Sequence, residues 1–237
     1  GMPIQSTPDF STGQSVSATD FADRSGFEKI SPRALNALAE AMRGKTEAAM
    51  AVFRDGTVFA PADGGLYGMA LDIGTTTLAA YLFDLESGRR LGVRSAVNPQ
   101  RVFGQDVISR MDHARTPQGL KELSDCIRQG VNRLIEGFRE DFGIAEVAHL
   151  TVTGNTTMLH FLAGYDPSSP AVSPFTPVSL FGEETPASRL FPVFENARLY
   201  LPPCISAYVG GDMVCAMTDS RLWESGKTTL MADIGTN

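Results

Sequence analysis

The chain has 237 residues, of which 43% are hydrophobic and 20% charged. That is room for one or two globular domains with a real core. The net charge of -7 argues against nucleic acid and against an anionic membrane as partners, since either wants a basic face. No apolar run approaches the roughly 18 residues that a membrane span needs. Cys126, Cys204 and Cys215 form no CxxC pair and are odd in number. They predict buried thiols in a reduced, cytoplasmic protein, and neither they nor His113, His149 and His160 show metal-ligand spacing.

Residues 1 to 31 are rich in Ser, Thr, Asp and Gly, without an apolar period, and read as a flexible arm or linker. Ser31-Pro32 opens a helix that Gly44 ends, with Leu35, Leu38, Ala39 and Met42 on its apolar face. Two extended runs flank Asp55-Gly56, a hairpin signal. A small helix-plus-hairpin unit over 32–65 therefore precedes the main domain, 66–237.

In the main domain, Tyr67 to Ile73 and Leu78 to Leu85 read as strands joined by Gly74-Thr75-Thr76, and Leu91 to Val97 as a third. Gly104 to Met111 predicts a short helix. Thr116-Pro117 caps a long one that Gly143 ends. Along it Leu120, Leu123, Ile127, Val131, Leu134, Phe138 and Phe142 recur at steps of three or four, a core-facing stripe. Val147 to Thr153 is a fourth strand, followed by the Gly154-Asn155 turn and a helix through Leu162. Residues 165–203 read as proline-rich extended loop, with a short strand at Arg198 to Leu201. A helix from Asp212 to Trp223 and a strand from Thr228 to Ile234 complete the order. Three antiparallel strands followed by alternating helices and strands predict an α/β domain with a mixed, helix-covered sheet.

Two segments repeat. Met69-Ala70-Leu71-Asp72-Ile73-Gly74-Thr75 and Leu230-Met231-Ala232-Asp233-Ile234-Gly235-Thr236 are each an apolar strand running into Asp-x-Gly-Thr. Glycine permits close backbone approach to phosphate. Successive N–H groups can hold an anion, and threonine hydroxyls add neutral donors. An aspartate beside phosphate needs a divalent cation between them, commonly Mg²⁺.

The paired motifs resemble those of the acetate and sugar kinase, heat-shock chaperone and actin superfamily, whose lobes are RNase H-like. Asp72 to Thr77 is similar to its first phosphate motif and Asp233 to Thr236 to its second. A closer resemblance lies in Asn98-Pro99-Gln100, Gly104-Gln105-Asp106-Val107-Ile108-Ser109-Arg110, Gly154-Asn155-Thr156-Thr157-Met158 and Tyr208-Val209-Gly210-Gly211-Asp212. These resemble the reductive activators of corrinoid proteins, which couple ATP hydrolysis to reduction of Co(II) corrinoid to Co(I). The resemblance spans roughly residues 45 to 237.

It implies the first lobe of an actin-like ATPase with ATP and Mg²⁺ as cofactors. Asp72 and Asp233 would hold Mg²⁺ through water, and with Asp212 form the catalytic set. Gly74, Thr75, Thr76, Thr77, Gly235 and Thr236 would bind phosphate, and Asn155 and Asp212 would line the cleft near the γ-phosphate. The implied partners are a corrinoid protein and an electron donor such as a ferredoxin-like domain, whose iron–sulfur cluster lies outside this sequence. A homodimer stays open. Because the sequence reaches Asn237 inside the second motif, the expectation is a fragment lacking the second lobe and inactive alone.

Other readings of the same residues stay open. Asn155, Asp212 and Gln105-Asp106 can each be plain helix-start residues. Ser225-Gly226-Lys227-Thr228 is not a P-loop, since Arg221 stands where its first glycine belongs and a strand follows. A small-molecule kinase of the same superfamily, and a non-catalytic module that keeps the fold, are the rival functions.

Overall fold

The computed structural model describes residues 65–167 and 176–232, with short pieces at 29–30, 36, 39–40, 43, 51–52 and 57–59. Residues 36, 39 and 40 are helical, where the sequence predicts the first helix. Strand β1 (Lys29–Ile30) pairs in parallel with β3 (Thr57–Phe59), and β2 (Ala51–Val52) pairs with β3 antiparallel. The antiparallel pair is the predicted hairpin; its Asp55-Gly56 turn lies outside the described residues. Phe59 is buried with Leu66 and Ala148, so the small unit packs on the main lobe.

The lobe is built on one six-stranded sheet. Its strands are β4 (Tyr67–Ile73), β5 (Thr77–Asp84), β6 (Arg90–Val97), β7 (His149–Gly154), β8 (Glu183–Pro186) and β9 (Arg198–Leu201), ordered β6-β5-β4-β7-β9-β8. β4, β5 and β6 form an antiparallel meander, and β7 and β9 run parallel to β4. This is the mixed, helix-covered α/β sheet that the element order predicts, in the RNase H-like arrangement that the resemblance implies. Alternation sets the faces: Met69, Leu71, Ile73, Leu78, Ala80, Leu82, Leu150 and Val152 all point into one core.

Two helices cover that core, α2 (Pro117–Phe142) and α3 (Thr156–Ala163), preceded by the short α1 (Val107–His113). Thr116 caps α2 by accepting from the Gly119 N–H at 3.0 Å, and Gly143 ends it in the left-handed region. Leu123, Ile127, Val131, Leu134, Ile135 and Phe138 are buried along its stripe. Each such burial contributes on the order of 1.5–3 kcal/mol. Phe142, predicted to share that stripe, is 43% exposed; its ring rests on Gly92 of β6, an edge strand, with one side open to solvent. Helix α4 (Gly211–Ser220) sits against β7 on the side of Thr153.

Three segments depart from prediction. Lys29–Ile30, inside the stretch read as a flexible arm or linker, forms β1 beside β3. Glu183–Pro186 forms edge strand β8 within the stretch read as loop. Its Glu-Glu-Thr-Pro sequence has no apolar alternation, and only backbone pairing to β9 makes it a strand. Residues 228–232, the described part of the strand read from Thr228 to Ile234, pair with no strand among the described residues, and Leu230 is 92% exposed. An extended apolar run forms a strand only beside a partner, and the described residues offer it none.

Candidate functional site

β4 and β7 are adjacent and parallel, with Asp72 opposite Thr153 and Ile73 opposite Gly154. From β4 the chain turns to β5 on one side, whereas β9 lies beyond β7 on the other. The carboxyl ends of β4 and β7 therefore flank a switch point, where open α/β sheets leave a crevice for ligands.

The loop leaving β4 fills one wall of it. The Gly74 N–H donates to the Thr77 carbonyl at 3.0 Å, which closes the turn. A Cβ at position 74 would stand 2.8 Å from that oxygen, so the turn requires glycine. The next three carbonyls are all held from within the lobe. The Asn98 Nδ2 donates to Gly74 O at 2.8 Å, an Arg110 guanidinium nitrogen to Thr75 O at 2.7 Å, and the Asn98 N–H to Thr76 O at 2.8 Å. Among the described residues nothing accepts from the N–H groups of Thr75 and Thr76. The loop thus keeps its oxygens inward and leaves two donors.

Asn155 follows β7 and does two jobs. Its Oδ1 accepts from the Met158 N–H at 2.9 Å, capping α3. Its Nδ2 donates to Thr75 Oγ1 at 3.2 Å, joining the two loops. Accepting there leaves the Thr75 hydroxyl proton to point elsewhere.

The third wall is Gly210-Gly211-Asp212. A Cβ on Gly210 would lie 2.5 Å from the Asn155 Cα and 2.8 Å from Gly154 O, so this segment rests directly on the β7 turn. The N-cap of α4 is Gly210; Asp212 falls in the first turn and accepts from the Met213 N–H at 2.8 Å. Asp72 is exposed at the end of β4. The charges of both carboxylates reach Cys215. Burial pushes its thiol pKa up, and the Asp212 and Asp72 charges push the same way against a hydrogen bond with Thr153. Burial likewise raises Cys204, with Asp212 and Cys215 adding to it.

Asp72, Thr75, Thr76, Asn155 and Asp212 thus stand at the carboxyl ends of β4 and β7 and the first turn of α4, with Gly74 and Thr77 closing the turn between β4 and β5. Asp233, Gly235 and Thr236 lie outside the described residues. The sequence attached no site role to Asn98, Gln100 or Arg110, although all three stand in the motifs singled out above. Polar residue types carry no sign that they will be buried behind a loop. Among the described residues no cluster of three or more His, Cys, Asp or Glu could hold a metal ion directly. No helix of the described residues is long and apolar enough to cross a membrane.

Residues 67–225 match the family model described as the RACo middle region. The chain belongs to that family. It is 32% identical over 180 residues to the corrinoid activation enzyme RamQ of Eubacterium limosum, covering 73% of this chain and 29% of that protein. It is 25% identical over 182 residues to the [Co(II) methylated amine-specific corrinoid protein] reductase of Methanosarcina barkeri, covering 73% and 33%. Among solved structures, a reductive activator for corrinoid, iron-sulfur protein superposes with a TM-score of 0.73 at 28% identity, over 95% of this chain and 38% of that one. The chain thus spans about a third of the length of these RACo-type relatives.

Proposed function

We propose that this lobe holds the phosphate side of Mg-ATP in an ATP-dependent reductive activator that takes a corrinoid protein from Co(II) to Co(I). The observation that carries the reading is the Gly74–Thr77 loop at the switch point, with three consecutive carbonyls drawn inward and the Thr75 and Thr76 N–H groups left to donate. That arrangement suits a polyphosphate and suits no cation. The relatives' names supply the corrinoid side.

In this reading the Thr75 and Thr76 N–H groups and the Thr75 hydroxyl donate to phosphate oxygens, and Asn155 orients that hydroxyl. Gly74 serves the turn, and Thr77 closes it. Asp72 would hold Mg²⁺ through water, and Asp212, in the first turn of α4, would orient the attacking water. Mg²⁺, when bound, would supply charge neutralisation on the phosphates. The residues present fit such an ion as outer ligands, since Asp72 is exposed at the strand end while the anion donors stand next to it. Asp233, Gly235 and Thr236 would form the facing half of the clamp. Catalysis would be positioning and electrostatic stabilisation, and lobe closure on ATP would bring the corrinoid and its electron donor into register. Iron–sulfur chemistry belongs to a donor outside this chain.

Calorimetry of the full-length protein with Mg-ATP tests the binding half. Saturable binding that Asp72→Asn and Asn155→Ala weaken is expected. A full-length protein that binds no nucleotide would remove the reading.

A further inference from the structure

We propose that Arg110 is a positioning residue that presents the Gly74–Thr77 loop to polyphosphate and adds its own charge from behind, so that it sets how tightly the lobe holds an anion. The inference rests on the phosphate-binding reading above and adds to it a residue without direct access to the ligand.

Arg110 is completely buried. Its Nε donates to Gly104 O at 2.9 Å, one terminal nitrogen to Gln100 Oε1 at 3.3 Å, and the other to Thr75 O at 2.7 Å. The Met158 sulfur lies 3.6 Å away. No carboxylate among the described residues is within ion-pair distance; Asp106 favours the charge only from further off. Burial lowers the pKa of the group, yet a guanidinium stays protonated in proteins.

A buried charge held only by neutral acceptors is costly. A methionine would fill the space without charge but would leave the Gly104 and Thr75 carbonyls without these donors. The charge has an evident use. The Thr75 carbonyl that it binds belongs to the peptide linking Thr75 to Thr76, whose N–H is one of the two unspent donors. Pulling that oxygen inward turns the N–H outward and polarises it. Because the path from guanidinium to loop is dry, the positive charge reaches an anion there with little screening. Gln100 and Asn98 complete the support. Gln100 Nε2 donates to Leu123 O at 3.0 Å on α2, and Asn98 Nδ2 lies 3.4 Å from Gln100 Oε1, so the loop is braced against the long helix.

The test is calorimetry of Mg-ATP on the full-length protein carrying Arg110→Met, Arg110→Gln or Arg110→Lys, each first checked for its thermal midpoint. Arg110→Met, and Arg110→Gln, which keeps a donor without the charge, are expected to raise Kd at least about tenfold, or about 1.4 kcal/mol. Arg110→Lys should recover part of the affinity. The amide resonances of Thr75 and Thr76 should move in all three. Should Arg110→Met fail to fold, Arg110→Gln decides alone. Unchanged Kd in the neutral variants overturns the role of Arg110 while leaving nucleotide binding intact. Affinity that falls only in step with thermal stability, and equally in Arg110→Lys, makes Arg110 structural and also overturns it. Absence of nucleotide binding in the wild type removes both inferences together.

Discussion

Replacing Gly210 by alanine probes how the three walls of the crevice are held together. The added Cβ would stand 2.5 Å from the Asn155 Cα, 2.7 Å from Asp212 Oδ1 and 2.8 Å from Gly154 O. The carboxylate can rotate away, but the other two atoms are backbone. Carbon–carbon contacts relax to roughly 3.5–4.0 Å, so the α4 segment must withdraw from the β7 turn by about 1 Å. Overpacking of this kind costs about 1–3 kcal/mol. At about 2 kcal/mol the thermal midpoint falls by about 4–8 °C for a domain of this size. The same withdrawal disturbs the 3.2 Å link from Asn155 to Thr75, so nucleotide affinity falls with it. Gly211→Ala is the control. Its Cβ would meet Thr153 Oγ1 at 3.2 Å and Pro202 O at 3.3 Å, which small shifts can absorb. Circular-dichroism melts of the three proteins decide the matter. A Gly210→Ala midpoint equal to wild type would show that the two loops are not in the contact described.

Asp72→Asn keeps the side chain's size and should leave the melting curve unchanged while slowing ATP hydrolysis about a hundredfold, roughly 2.7 kcal/mol of transition-state stabilisation; a steady-state ATPase assay on the full-length protein checks it. Asn155→Ala removes a helix cap and should destabilise the lobe by about 1 kcal/mol, visible in a urea titration, with weaker nucleotide binding from the lost Thr75 contact. Burial lowers the pKa of His160, whose ring bonds the Thr156 carbonyl and accepts from the Ser179 N–H. Its neutral form is the folded one, so its contribution is whole above the unfolded pKa of about 6.5 and is lost as pH falls through the lowered folded value. Urea midpoints at pH 7.5 and 5.5 should therefore differ more for wild type than for His160→Gln.

Local signals predicted the lobe well where they are strong. Thr116-Pro117 and Gly143 bracket α2 because a cap, a first-turn proline and a left-handed glycine act within a few residues. The meander was visible because period-two burial and the Gly74 turn are both short-range. Edge strand β8 was not, since its Glu-Glu-Thr-Pro sequence becomes a strand only through β9. The reverse holds at 228–232, where a run with the composition of a strand pairs with none among the described residues. In the site, Asp-x-Gly-Thr and Gly154-Asn155 mark the crevice because backbone chemistry requires those types. Asn98 and Arg110 act through tertiary contacts spanning 24 and 35 residues, which no local pattern encodes.

The central claim is that this lobe serves ATP-driven reduction of a protein-bound corrinoid. The most direct measurement is the absorption spectrum of the corrinoid protein mixed with the full-length protein and a reduced electron donor, with and without Mg-ATP. The account predicts the Co(I) band with Mg-ATP, none without it, and little with Asp72→Asn. A Co(I) band of equal size without nucleotide, or none under any condition, would contradict it.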